Sequence, residues 1–534
     1  MTTTQTTPGK AVLLERILFG LAVLGLALTP TQLTRSIKGV ELTPAEVVLA
    51  IAFVVWCIRW CSIRDTRSLP PLSHWLIVGV AVLGIFSLLT SVTSLHHLGE
   101  WKHAIAQQKP TLVKIAQMVL YLLVSVTVFR AVFTSKERIR TAIIALLATT
   151  SLAVLLGVVQ WGVLPRQYQP DPTKRSVIAD AQANSEDEEL FMSENTPDAN
   201  ANTPAVAAPK SGKKHKAQIG YWVQEGDRRV FHPASRWKLF LRVETPAYVS
   251  STFGNWSKHG YHPSRNAYAG FLALVLPFAL ALLVIERKKV GFVIWLSLLL
   301  LGAAASVLAG YIVPAIALGL LVTGIAIGRP VGRNVFLGLV GYVVLMLIFA
   351  GITFNAHEVI SDPYQLRISA NDAKYYTDSD ERLLKKFWGE QQAGLNVYRY
   401  HALFGVGSGR YQEAIKNGYD ALGDVVRQRL EADQLNGYVF TLVTNGLLGL
   451  AALLMLLGSY LGMARSAFRQ KRWDPFAAAM VGAMVAAIVM LFVTNIWVRG
   501  TSIVFAALLA MIGNYATPAP VERINQQEEN FTCV

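Results

Sequence analysis

The residues whose types and spacing point most clearly to chemistry run from His401 to Tyr411: His-Ala-Leu-Phe-Gly-Val-Gly-Ser-Gly-Arg-Tyr. Gly405, Gly407 and Gly409 alternate within a polar stretch of an otherwise very apolar chain. Glycine accepts backbone angles and close approaches that other residues cannot. Such a run would turn successive backbone N–H groups toward an anion. It would equally make a tight turn that packs helices, and the segment by itself leaves both readings open. Asn436 follows, and then Gly446-Leu447-Leu448-Gly449 opens a long apolar run. The glycine segment therefore sits just ahead of a membrane-spanning stretch.

The elements that must position this segment are membrane helices. The chain has 534 residues, 53% of them hydrophobic, with a mean hydropathy of +0.40. Apolar runs near 20 residues recur, the length that crosses about 30 Å of hydrocarbon. They predict about twelve spans: 12–30, 44–61, 72–94, 111–133, 140–164, 266–285, 290–308, 311–328, 335–353, 436–463, 475–496 and 500–515. The stretch 290–328 is too long for one span, and Gly310 and Pro314 mark a reversal within it. The fold class is thus an all-α polytopic membrane protein.

Loop charge orients it. With the N-terminus in the cytoplasm, the inner loops carry Arg59, Arg64 and Arg67, then Arg130, Lys136, Arg138 and Arg140. The next inner loops carry Arg287, Lys288 and Lys289, then Arg329 and Arg333, and finally Arg465, Arg469, Lys471 and Arg472. Every inner loop is short and basic, as the positive-inside rule requires. Both termini are then cytoplasmic and two long segments, 165–265 and 354–435, lie outside. No cleavable signal peptide is evident, so the first span reads as an uncleaved anchor. The net charge of +15 resides largely in the inner loops and belongs to topology and anionic lipid contact, with no nucleic-acid partner implied.

The chain divides into spans 1–5 (1–164), an outer loop (165–265), spans 6–9 (266–353), an outer helical cap (354–435), and spans 10–12 with a cytoplasmic tail (436–534). Residues 170–217 are rich in Asp, Glu, Asn, Ala, Pro and Lys and have the composition of a disordered insert. Tyr221-Trp222-Val223, Val230-Phe231 and Trp237 to Arg242 suit short strands or an interfacial helix. In the cap, Arg382 to Trp388 and Ala414 to Leu430 have amphipathic helical spacing. Cys57 and Cys61 stand one turn apart in a reducing compartment and read as packing residues; no cluster has metal-ligand spacing, and no metal or cofactor is expected.

Ionisable residues are nearly absent from span centres. Lys114, near the outer end of the fourth span, is the main exception, and all histidines but His74 fall outside. Ion-coupled carriers need carboxylates or histidines at the midplane. This distribution favours chemistry at the outer membrane surface.

The segment His401–Tyr411, with Asn436, nine residues, and Gly446-Leu447-Leu448-Gly449-Leu450, resembles the O-antigen ligase and polymerase superfamily. Thr252-Phe253-Gly254-Asn255 followed by Asn266-Ala267-Tyr268-Ala269 is similar to that family's approach to a span, and Arg382 ahead of Trp388 to its Arg-Trp pair. Two features depart from the pattern. Leu435 stands where the family has a histidine proposed as base, and Ser306 to Gly310 lacks the family's arginine.

The resemblance implies a glycosyltransferase of the bacterial inner membrane, serving lipopolysaccharide or another surface polysaccharide. It would move glycan from undecaprenyl diphosphate to a lipid or glycan acceptor hydroxyl on the periplasmic side. Arginine forks suit the leaving diphosphate, and Arg242, Arg265, Arg382, Arg399, Arg410 and Arg499 are all expected outside. The acceptor hydroxyl needs a base. With Leu435 disqualified, the candidates are His401, Glu431 and Asp433, although Asp433 would equally cap the tenth span. Gly405, Gly407, Gly409 and Asn436 complete the expected substrate site. The competing readings are a transporter of a small solute or anion and a non-catalytic subunit of a polysaccharide export complex.

Overall fold

The computed structural model describes residues 8–30, 35–37, 40–63, 68–93, 111–163, 220–225, 228–233, 255–257, 260–262, 265–285, 291, 294–296, 298, 313–327, 340–341, 344, 379–411, 414–415, 418, 436–470, 474–497 and 499–516. The described chain is a helical bundle with three short two-stranded antiparallel hairpins in its connections.

In chain order the elements are α1 (Pro8–Ala27), β1 (Arg35–Ile37), β2 (Val40–Leu42), α2 (Pro44–Ile63), α3 (Leu72–Thr93), α4 (Thr111–Val132) and α5 (Lys136–Val163). Then come β3 (Gly220–Glu225), β4 (Arg228–Pro233), β5 (Asn255–Ser257), β6 (Gly260–His262), α6 (Arg265–Ile285) and α7 (Val313–Ile327). The last are α8 (Ser379–Tyr400), α9 (Gly437–Gln470), α10 (Pro475–Met490) and α11 (Arg499–Ala516). Nine of the twelve expected spans thus fall on long helices. Spans 290–308 and 335–353 are described only at isolated helical positions, and 311–328 corresponds to the shorter α7. The insert 170–217 lies outside the described residues.

This is a membrane protein by the length and composition of its helices. Pro44–Cys61, Thr111–Val132 and Gly437–Gln470 are long and apolar enough to cross a bilayer, and the shorter apolar helices accompany them. The outer surface of the bundle agrees. Val47, Ile51, Val54 and Ile58 on α2, and Leu447, Leu454, Met455 and Leu461 on α9, are large apolar side chains left exposed. Such a surface is stable against hydrocarbon and costly in water.

Inside, several threonine hydroxyls are satisfied within their own helices. Thr150 donates to the Leu146 carbonyl, Thr323 to Gly319, Thr441 to Gly437 and Thr444 to Phe440, each at 2.7 Å. Small residues let helices approach: α7 meets α10 at Gly319 and Gly482, where a Cβ on Gly319 would stand 2.8 Å from the Ala486 Cβ. Cys57 packs half-buried against the core and Cys61 is exposed.

The helix ends sort into two groups. At one end Lys136 pairs with Asp474 at 2.7 Å and Arg138 with Glu15 at 2.6 Å. Arg130 donates to the Leu69 carbonyl at 2.8 Å, and Asn514 donates to the carbonyls of Arg130 and Phe133 at 2.9 Å. These residues come from the start of α1, the approach to α3, the α4–α5 turn, the start of α10 and the end of α11. At the other end lie the start of α2, the first turns of α4, the start of α9 and the α10–α11 connection. The grouping is the one that helices running alternately up and down must give.

Candidate cleft at the broken helix

Helix α9 is interrupted at Gly446, whose φ of 66° and ψ of −166° no other residue adopts readily. The interruption frees backbone groups that a membrane helix cannot leave unsatisfied. The glycine segment supplies their partners. The amides of Val406 and Gly407 donate to the carbonyls of Val443 and Thr444, each at 2.8 Å. In return the Leu447 amide donates to the Ala402 carbonyl at 2.8 Å, and that of Leu448 to Leu403 at 3.4 Å.

Gly405, Gly407 and Gly409 all have positive φ. The first also explains the closeness of the fit, because a Cβ on Gly405 would stand 2.5 Å from the Asn445 nitrogen and 2.6 Å from that of Gly446. Of the two readings left open for this segment, the packing one is what the geometry displays at residues 405–407. The Gly405 amide is held by the His401 carbonyl at 2.9 Å, and that of Arg410 by Gly407 at 3.3 Å.

Beside this junction a small cleft opens, with a cavity of about 30 Å³. Helix α4 contributes Lys114, Gln117, Met118 and Tyr121; the glycine segment contributes Ser408 and Gly409. Phe440, Thr441, Thr444 and Asn445 of α9 and Trp497 from the α10–α11 connection complete it. The Ser408 hydroxyl donates to the Asn445 side-chain carbonyl at 2.9 Å and lies 4.0 Å from the Met118 sulfur. Helix α4 widens into a π-helix over Val119–Ser125, which contains Tyr121; such segments recur at functional sites. The lining therefore combines a cation, amides, hydroxyls and three aromatic rings.

One wall residue reaches a second polar group. Tyr121 is 2% exposed, and its hydroxyl donates to Glu46 Oε1 at 2.5 Å. Glu46, itself 1% exposed, closes a capping box at the start of α2: the Thr43 amide donates to its Oε2 at 2.7 Å, and its own amide donates to Thr43 Oγ1 at 3.2 Å. The sequence carried a signal for the cap in Thr43-Pro44-Ala45-Glu46, with proline at the first helical position. Nothing in the sequence pointed to Tyr121, 75 residues away.

The residues expected at the site are distributed as follows. Arg410 directly follows the cleft wall, half-buried, with its Nε buried and without a hydrogen-bond partner. Asn436 is the N-cap of α9; its Oδ1 accepts from the amides of Tyr438 at 3.0 Å and Val439 at 3.1 Å, so it has the capping role weighed for Asp433. His401 and Arg399 are exposed at the end of α8 and do not line the cleft. Arg382 stands in the first turn of α8, Arg265 opens α6 and Arg499 opens α11. Arg242, Glu431, Asp433 and Leu435 lie outside the described residues. No group of three or more metal-ligand side chains occurs among the described residues.

No protein-family model matches the chain, and no curated protein does so either.

Proposed function

We propose that this chain is a polytopic glycosyltransferase of the bacterial inner membrane, of O-antigen ligase or polymerase type. It crosses the membrane twelve times with both termini in the cytoplasm. It transfers glycan from a polyprenyl diphosphate to an acceptor hydroxyl at the periplasmic face. What supports this reading above all is the cleft between α4, the glycine segment and broken α9. Its Gln117, Ser408 and Asn445 offer hydrogen bonds, and Phe440 and Trp497 offer flat apolar faces, the combination that suits a sugar ring. Lys114 on the cleft and Arg410 beside it supply positive charge where a diphosphate leaves. Arg265, Arg382 and Arg499 stand in the first turns of α6, α8 and α11, and in the proposed topology these helix starts face the periplasm.

The test is transfer by purified protein in lipid nanodiscs, with synthetic polyprenyl-diphosphate glycan as donor. Arg382→Ala and Arg410→Ala should each lower transfer on the order of 100-fold, the equivalent of about 3 kcal/mol of transition-state stabilisation. Arg382→Lys should recover little, because a point charge does not replace a planar fork. Near-normal transfer by both alanine variants refutes this site.

A further inference from the structure

Glu46 is placed unusually for a capping residue. A capping box needs one acceptor oxygen, and glutamine provides it as well as glutamate. Capping carboxylates ordinarily keep their charge in water, whereas this one is 1% exposed. Among the described residues no cation pairs with it. Burying a carboxylate without a counter-ion is costly. Both carboxylate oxygens are used, Oε2 by the Thr43 amide and Oε1 by the Tyr121 hydroxyl, where a glutamine has only one acceptor oxygen. The Tyr121 hydroxyl stands 2.5 Å from Glu46 Oε1. Besides that second acceptor, a carboxylate can take up a proton, which an amide cannot.

We propose that Tyr121 and Glu46 form the proton acceptor of the cleft, a role that rests on the glycosyl-transfer reading. Tyr121 is the catalytic residue, because it lines the cleft. Glu46 acts through it, as the positioning residue and proton store. In the step, the acceptor hydroxyl oxygen bonds to the anomeric carbon. The bond from that carbon to the diphosphate oxygen breaks, and its electron pair leaves with the diphosphate. The hydroxyl proton passes to the Tyr121 oxygen while the Tyr121 proton passes to Glu46 Oε1. Glu46 ends the step as the neutral acid and returns its proton through the Tyr121 hydroxyl to the cleft before the next turnover. Atoms and charge balance without a co-reactant. The pair supplies the base that the sequence lacks at Leu435.

Tyr121→Phe and Glu46→Gln test this, because the first keeps the ring and the second keeps an acceptor oxygen for the capping box. Both should lower kcat on the order of 100-fold, the lower range for general base catalysis. The donor KM, and donor binding measured separately by calorimetry, should stay within about threefold, because neither variant removes a group that holds the donor. Thr43→Val provides the structural control: it weakens the cap, should lower thermal stability, and should keep kcat. If Glu46 serves only as a cap and hydrogen-bond acceptor, kcat holds in both Thr43→Val and Glu46→Gln whatever their stability; that outcome overturns the proposal. So does a Tyr121→Phe protein that transfers glycan at the normal rate. Should Glu46→Gln fail to fold, Tyr121→Phe alone decides. Wild-type protein inert toward every lipid-linked donor and acceptor would instead overturn the transfer reading, and this proposal with it.

Discussion

Replacing Gly446 by alanine probes the junction on which the cleft depends. At φ 66° and ψ −166° an alanine is strained by about 1–3 kcal/mol before any contact is considered. Its Cβ would fall on the Leu403 carbonyl and stand 2.5 Å from the Phe404 nitrogen, and both are backbone, so no rotamer change relieves the clash. The glycine segment must withdraw. Withdrawal breaks the bonds from Val406 to Val443, Gly407 to Thr444 and Leu447 to Ala402, each now 2.8 Å long. At about 1 kcal/mol apiece, these bring the total to about 4–6 kcal/mol. That is a large part of the stability of an ordinary domain. Gly458, in the same helix, has open space around its Cβ position, and Gly458→Ala should stabilise by up to about 1 kcal/mol. The assay is hydrogen exchange in nanodiscs, together with thermal unfolding. In Gly446→Ala the amides of Val406 and Gly407 should exchange at least about 100-fold faster, since 1.4 kcal/mol corresponds to a factor of ten. Unchanged exchange at those two amides, with a melting curve matching that of Gly458→Ala, refutes the account of the junction.

At the opposite end, Asp474 caps α10 through its bond from the Phe476 amide at 2.9 Å and also pairs with Lys136. Asp474→Ala should cost about 1 kcal/mol, and Lys136→Ala, whose side chain is 58% exposed, less than about 0.5 kcal/mol. Equal losses in chemical unfolding would show that the ion pair, not the cap, carries the effect. For topology, single cysteines at 200 and 420, in a background lacking Cys57, Cys61 and Cys533, should react with an impermeant thiol reagent in intact spheroplasts. Labelling only after lysis reverses the orientation and removes the periplasmic reading.

The helices were legible wherever an apolar run matched the hydrocarbon, as at 44–61, 72–94 and 111–133. Their ends were less so, because hydropathy reports the hydrocarbon and not the helix. The fifth span was expected from 140, yet α5 begins at Lys136 with Glu137 and Arg138 in its first turn. The tenth was expected to stop at 463, yet α9 continues through Arg465 and Arg469 to Gln470. Charged residues extend these helices beyond the apolar layer at no cost in burial. Strands 220–225 and 228–233 were visible in their aromatic and β-branched residues, whereas β1, β2, β5 and β6 are three residues each and too short to carry a period.

The site was legible as a segment and illegible as a cleft, for a physical reason. Alternating glycines signal that backbone comes close to something, and they do not say to what. Here the neighbour is the gap in α9, and the sequence hides that gap. Gly446 and Gly449 stand among leucines, and glycine is common in membrane helices, so the apolar period runs straight through the break. The partners that build the cleft are also distant in sequence. Ser408 meets Asn445 across 37 residues and Met118 across 290. Single-residue signals such as the arginines were easy to find, because charge in an apolar chain stands out. Tyr121 did not stand out: a tyrosine in an apolar helix ordinarily reads as packing, and its bond to the Glu46 carboxylate crosses 75 residues. The capping box placed Glu46 at a helix start, but its burial and its partner are tertiary facts. The proposed relay from the cleft to Glu46 therefore becomes visible only once α4 is packed against the start of α2.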